Sequence, residues 1–171
     1  MEQSFETECG ESFVGEGVNA AHINTVLGAK GGPVEVAWTS SLAHPTQGHA
    51  PFVCVLRPGL PVKPFTLFVN KASIGGGRHA EMTWGPAQAG VAKGVADAVA
   101  DGLVASHTVD DLLLIVAVWV NPAADDAQAV YANNASATRE ALRAGRDRQP
   151  LLVDVLAARQ APFNPFFRPA D

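Results

Sequence analysis

The run Leu112-Leu113-Leu114-Ile115-Val116-Ala117-Val118-Trp119-Val120 decides how this chain folds. It holds no charge and no turn former, and its β-branched side chains favour extended backbone. A strand apolar on both faces must be covered on both faces, so the run predicts the centre of a sheet. It is about half as long as a membrane-spanning helix needs to be, which points to a protein core and not to a bilayer.

Outward from that strand the hydrophobic period changes. Pro86 to Asp101 places Val91, Val95, Ala98 and Val99 on one face at helical spacing, and Gly102 supplies a C-terminal stop. Asp125 to Ala144 predicts a second long helix, ended by Gly145. Before them, Thr66 to Ile74 reads as a strand with Leu67, Val69, Lys71 and Ser73 on one side, and Phe52 to Leu56 as a buried strand. Gly75-Gly76-Gly77 should interrupt regular structure. It is not a phosphate-binding loop, since no Gly-Lys-Ser/Thr follows and it is not expected to open a helix. Gly31-Gly32-Pro33 predicts a turn into a helix striped by Val34, Ala37, Trp38 and Leu42. In residues 12–27, counting by twos puts Ala20, His22, Asn24 and Val26 on one face and Ala21, Ile23, Thr25 and Leu27 on the other. On a strand, His22 and Asn24 are then neighbours. Residues 150–160 fit a strand or a helix. The tail Pro162-Phe163-Asn164-Pro165-Phe166-Phe167-Arg168-Pro169 is too proline-rich for regular structure and too apolar to lie free, so it should pack on the body or on a neighbouring subunit.

A chain of 171 residues supports one core and is short for two, and no repeat or linker divides it. We therefore expect one domain, 1–171, with 161–171 as an irregular tail. A charged fraction of 17% against 47% hydrophobic residues suggests that some surface is lost to a subunit contact. A net charge of −5 without a Lys/Arg cluster argues against nucleic acid. Cys9 and Cys54 lack metal spacing, and reduced thiols suit them better than a disulfide. The polar, acidic N-terminus lacks the features of a signal peptide, and a cytoplasmic protein is expected.

Polar groups set into apolar segments are the candidates for chemistry, because such groups are costly to bury unpaired. His22 titrates near neutrality and could transfer protons, although a strand histidine is more often structural. Asn24 could orient it, bind a ligand or cap backbone. Lys71 could hold a polar ligand or snorkel to solvent. Ser73 could satisfy the glycine turn. Gln88 follows Gly85-Pro86-Ala87, read as a helix opening where free N–H groups favour polar ligand atoms. His44, His49, His79 and His107 have no metal-type spacing and default to solvent.

Taken together, Val14-Gly15-Glu16-Gly17, Ala21-His22-Ile23, Leu60-Pro61-Val62-Lys63-Pro64, Thr66-Leu67, Asn70-Lys71, Gly85-Pro86-Ala87-Gln88, Gly90-Val91-Ala92 and Ala124-Asp125-Asp126-Ala127 resemble the formaldehyde-activating enzymes. The likeness runs from about Val14 to Ala144, and Pro162-Phe163 also looks like the family's tail. The resemblance implies a single α+β domain with a mixed sheet packed against helices and a left-handed βαβ crossover, similar to domain 2 of ribosomal protein S5. It implies a cytoplasmic homopentamer with intersubunit sites that condenses formaldehyde with tetrahydromethanopterin to methylene-tetrahydromethanopterin and water. Tetrahydromethanopterin is then a co-substrate, no metal is needed, and the setting is one-carbon metabolism, methylotrophy and formaldehyde detoxification. By the same resemblance His22 is the catalytic histidine, while Lys71 and Gln88 contact the pterin. Three further binding positions depart from the family pattern: Asn24 replaces an aspartate, Ser73 a threonine and Val53 a leucine. The amide at Asn24 lacks the charge that would keep a nearby histidine protonated. A non-catalytic pterin-binding or formaldehyde-sensing paralogue is the alternative, and an enzyme joining an aldehyde to another amine a third.

Overall fold

The computed structural model describes residues 5–169. Its main sheet contains strands β1 (Glu8–Val14), β2 (Ala21–Ala29), β3 (Phe52–Val53), β6 (Phe65–Asn70) and β7 (Leu112–Trp119), in the spatial order β1-β2-β7-β6-β3. β6 and β7 run parallel and the other pairs antiparallel, so the sheet is mixed. A two-stranded ribbon joins β4 (Val55–Arg57) to β5 (Leu60–Pro61). The helices are α1 (Pro33–Ala43), α2 (Gly77–Met82), α3 (Gln88–Ala100), α4 (Ala127–Arg146) and α5 (Leu152–Ala158). The architecture is α+β.

The central position of the 112–120 run is borne out, with β7 between β2 and β6. One face of the sheet carries Ile23, Leu27, Leu114, Val116, Val118 and Phe68, all at most 2% exposed, and it is covered by α3 and α4. Those two helices meet closely because Gly90 and Gly94 present no Cβ to the backbone of Tyr131 and Ala135. The Asp126 carboxylate caps α4 by accepting from the N–H groups of Gln128 and Ala129, and Arg143 and Arg146 complement its C-terminal dipole.

The opposite face is only partly covered. α1 packs on β2 and β7, with Val34 seated where Gly28 leaves room beside its register partner Leu113. The other end of that face, at His22 and Trp119, lies beyond α1. This uncovered end is what the fold provides for a site.

Several expectations are corrected. Within residues 12–27 the alternation spans two strands: β1 ends at Val14, Gly15 (φ +87°) and Gly17 (φ +61°) carry the turn, and His22 and Asn24 are indeed strand neighbours on β2. The Phe52–Leu56 run breaks at fully buried Cys54, which sends β4 into the ribbon. β6 stops at Asn70, leaving Lys71 and Ser73 beyond the strand. Of the stripe expected on α1, only Val34 is buried, and Leu42 is 40% exposed. The triple glycine does lead into a helix, since α2 begins at Gly77. Gly85-Pro86 therefore does not open a helix. It lies in a wide π turn, Thr83–Ala87, that connects α2 to α3 without a break. Proline lacks the N–H and crowds the preceding carbonyl, which this wider turn absorbs. Residues 150–160 resolve as helix α5, exposed throughout. His79 is buried, not solvated: its Nδ1 accepts from the Gly75 N–H and its Nε2 donates to the Val120 carbonyl. Both cysteines are free thiols, Cys9 exposed and Cys54 buried. Among the described residues no helix is long and apolar enough to cross a membrane.

Candidate active site

Strand register assembles the site. Phe13 lies opposite His22, and His22 opposite Trp119; one residue pair along, Glu11 lies opposite Asn24, and Asn24 opposite Ala117. Lys71 follows the Asn70–Val118 pair, and its backbone N–H donates to the Val118 carbonyl, which brings it alongside Trp119. Because alternate residues share a face, Glu11, Phe13, His22, Asn24, Trp119 and Lys71 all project to the side α1 leaves open. They line a cleft of about 1260 Å³. Its outer wall is the tail, Phe163 to Arg168, held by an edge contact of Phe166 on Trp119 at 5.4 Å between centroids. Within the tail the Arg168 guanidinium stacks on Phe163 at 4.4 Å. The expectation that the tail packs on the body is thus met, although its phenylalanines stay 63–73% exposed.

Two polar pairs organise the floor. His22 Nε2 stands 2.9 Å from Glu11 Oε1. The Lys71 ammonium donates to Asn24 Oδ1 at 2.7 Å. Since lysine only donates, the amide oxygen of Asn24 must face it. Burial, followed by the nearby Lys71 cation, holds the His22 imidazole below the ordinary histidine pKa, while Glu11 pulls it back up. Burial likewise lowers the Lys71 pKa, against the attraction of Glu11. The cleft therefore holds an imidazole and an amine that both give up protons more readily than in water.

Of the six expected site residues, His22, Asn24 and Lys71 come together here. Val53 lies half-buried on the edge strand β3, outside the cleft. Ser73 bonds through Oγ to His49 Nε2, and His49 Nδ1 donates to the Asn70 carbonyl, so this pair steadies the loop after β6. Gln88 accepts from the Val55 N–H at 2.6 Å, tying α3 to the ribbon rather than to its own first turn. Glu11, Phe13, Trp119 and the tail were missed. Glu11 and Phe13 share the parity of His22 once a hairpin turn is placed at 15–20. Arg168 carries no such local signal. No cluster of histidine, cysteine and carboxylate side chains fit for a metal occurs among the described residues.

A sheet with one open end, bearing an imidazole, a carboxylate and an amine around a half-apolar cleft, defines a small-molecule site equipped for acid–base work. Residues 9–167 match the family Fae, formaldehyde-activating enzyme, and the chain belongs to that family. It is 42% identical to the 5,6,7,8-tetrahydromethanopterin hydro-lyase of Methanosarcina barkeri over 157 residues, covering 92% of this chain and 88% of the relative. It is 37% identical to a bifunctional enzyme Fae/Hps of Methanosphaera stadtmanae, over 92% of this chain and 39% of that protein. A second bifunctional Fae/Hps, from Archaeoglobus fulgidus, is 35% identical over 94% of this chain and 41% of its own length. The chain thus spans about two fifths of these bifunctional relatives.

Proposed function

We propose that this chain condenses formaldehyde with tetrahydromethanopterin to give methylene-tetrahydromethanopterin and water, serving one-carbon metabolism and formaldehyde detoxification. The observation that carries the reading is the placement of His22, half-exposed on the cleft floor of a chain that belongs to the family. A pterin nitrogen adds to formaldehyde to form a carbinolamine. Hydroxide leaves poorly, and His22 as imidazolium protonates it so that water departs. The second pterin nitrogen closes the ring on the resulting iminium. General acid help of this kind is worth ~10²–10⁴-fold, and holding the partners together adds proximity. Asn24 and Lys71 bind the pterin's polar edge.

The reading includes a cytoplasmic homopentamer of one-domain subunits with the family's left-handed βαβ crossover. What supports the assembly is unpaired apolar surface: Leu152, Val153, Phe163, Phe166 and Phe167 are 63–73% exposed. Val53 on the open edge of the sheet, Ser73 and Gln88 are assigned to the wall a neighbouring copy meets. The test is formaldehyde-dependent methylene-pterin formation above the spontaneous rate. His22→Ala should keep the assembly and lose nearly all catalysed rate, whereas full activity in that variant sinks the assignment. Pterin binding without turnover by the unaltered protein would identify the non-catalytic paralogue instead.

A further inference from the structure

The chain contains four lysines. Lys93 is paired with Asp97 and Lys63 with Asp110, while Lys30 donates to the Asp110 carbonyl beside that same carboxylate. Lys71 differs in every respect. It is half-buried, lies in the cleft, and bonds to the neutral amide of Asn24; among the described residues it forms no ion pair. The charged and titratable groups facing it are Glu11 on β1, Glu16 in the following turn, His22 on β2 and Arg168 on the tail.

We propose that Lys71 is an aldehyde-capturing amine, which takes up formaldehyde covalently before it is handed to the second substrate. This rests on formaldehyde being the aldehyde of the site. Burial that disfavours the ammonium raises the share of neutral, nucleophilic amine. Donation of one N–H to Asn24 Oδ1 leaves the nitrogen lone pair free to point into the cleft. A carboxylate at position 24 would hold this lysine as a paired ammonium, so the neutral amide of Asn24 favours the free amine.

The step balances without a redox partner. The Lys71 lone pair adds to the formaldehyde carbon, the C=O π electrons move to oxygen, and one proton passes from nitrogen to that oxygen. The product is a carbinolamine, –NH–CH2–OH. Protonation of its hydroxyl by His22 expels water and leaves the iminium, –NH+=CH2. A pterin nitrogen adds to the methylene carbon, and the second pterin nitrogen displaces the lysine nitrogen, which leaves as the free amine. The protons lost by the pterin nitrogens return to His22 and Lys71.

Reductive trapping tests this without any pterin. The intact protein is treated at neutral pH with limiting formaldehyde and cyanoborohydride, which reduces the iminium to –NH–CH3, and each lysine is quantified by peptide mass spectrometry. Lys71 should carry at least about threefold more methyl label than Lys30, Lys63 or Lys93, because among the described residues it alone is half-buried and forms no ion pair, and burial outweighs the pull of Glu11 on its ammonium. Equal or lower labelling at Lys71 overturns the proposal. Asn24→Asp should bring Lys71 labelling down to the level of the other three and leave theirs unchanged. Lys71→Arg keeps the cation and removes the nucleophile, so unaltered methylene-pterin formation in that variant also overturns the covalent route while the proposed function stands. Preferential labelling of Lys71 in a protein that makes no methylene-pterin has the opposite meaning: the capture site is real and the pterin reading fails.

Discussion

Replacing Glu11 by glutamine removes one charge from the cleft floor and keeps the side chain's shape. Two charges about 4 Å apart attract by about 1 kcal/mol in water and about 4 kcal/mol at an effective dielectric of 20. The His22 and Glu11 side chains are 37% and 59% exposed, so solvent screens them and the pair belongs near the low end, ~0.2–1 kcal/mol. On the alkaline side of the titration this corresponds to ~1.4–5-fold less imidazolium at a given pH. The sign follows from the surroundings. Burial and Lys71 already push the His22 pKa below its ordinary value, and Glu11 is the group that resists. Glu11→Gln should therefore move the declining limb of the pH–rate profile to lower pH and leave the acidic plateau unchanged. The assay is formaldehyde-dependent methylene-pterin formation corrected for background, beside an NMR titration of the His22 ring. Stability follows the same linkage: a histidine with a depressed folded-state pKa contributes stability that is present above about 6.5 and lost as pH falls through the folded value. The variant should lose Tm more steeply on acidification. A limb that stays in place or moves to higher pH would refute the claim that Glu11 tunes His22.

Gly94→Ala should lower stability by ~1–3 kcal/mol, since its Cβ would stand 2.5 Å from the Ala135 carbonyl oxygen and force α3 from α4. Gly85→Ala, where a Cβ meets nothing within 4 Å, is the control and should fold as well as the parent; equal thermal melts for both variants would contradict this packing. A disulfide-exchange reagent should titrate one thiol in the native protein and two after denaturation. Cys9 is exposed, whereas Cys54 is buried and its pKa is pushed up to about 12, so two rapidly reacting native thiols would place Cys54 outside the core.

Part of the site was legible in the chain itself, because a strand's period of two is a local property. It set His22 beside Asn24, and the charge-free run 112–120, apolar on both faces, separately marked β7 as central; both hold. Local reading failed where long-range contacts decide. Gly85-Pro86 has the composition of a helix start, yet the chain is already helical from Gly77 and merely widens its turn there. Ser73 and Gln88 look free in sequence, but His49 and the Val55 N–H, far away along the chain, engage them. The stripe on α1 has helical spacing, but only Val34 finds a surface to cover.

By itself the sequence determined the central apolar strand, the two long helices, the polar groups that interrupt apolar segments, and the short motifs that resemble the formaldehyde-activating family. Which of those groups meet was decided by tertiary structure. Glu11 reaches His22, and Lys71 reaches Asn24, because β1, β2, β7 and β6 align their registers across the sheet. The cleft is open because α1 covers one end of that face and not the other. The charge and burial that set the proton affinities of His22 and Lys71 come from residues distant in the chain. Such energies depend on separation in space, which periodicity along one strand does not encode.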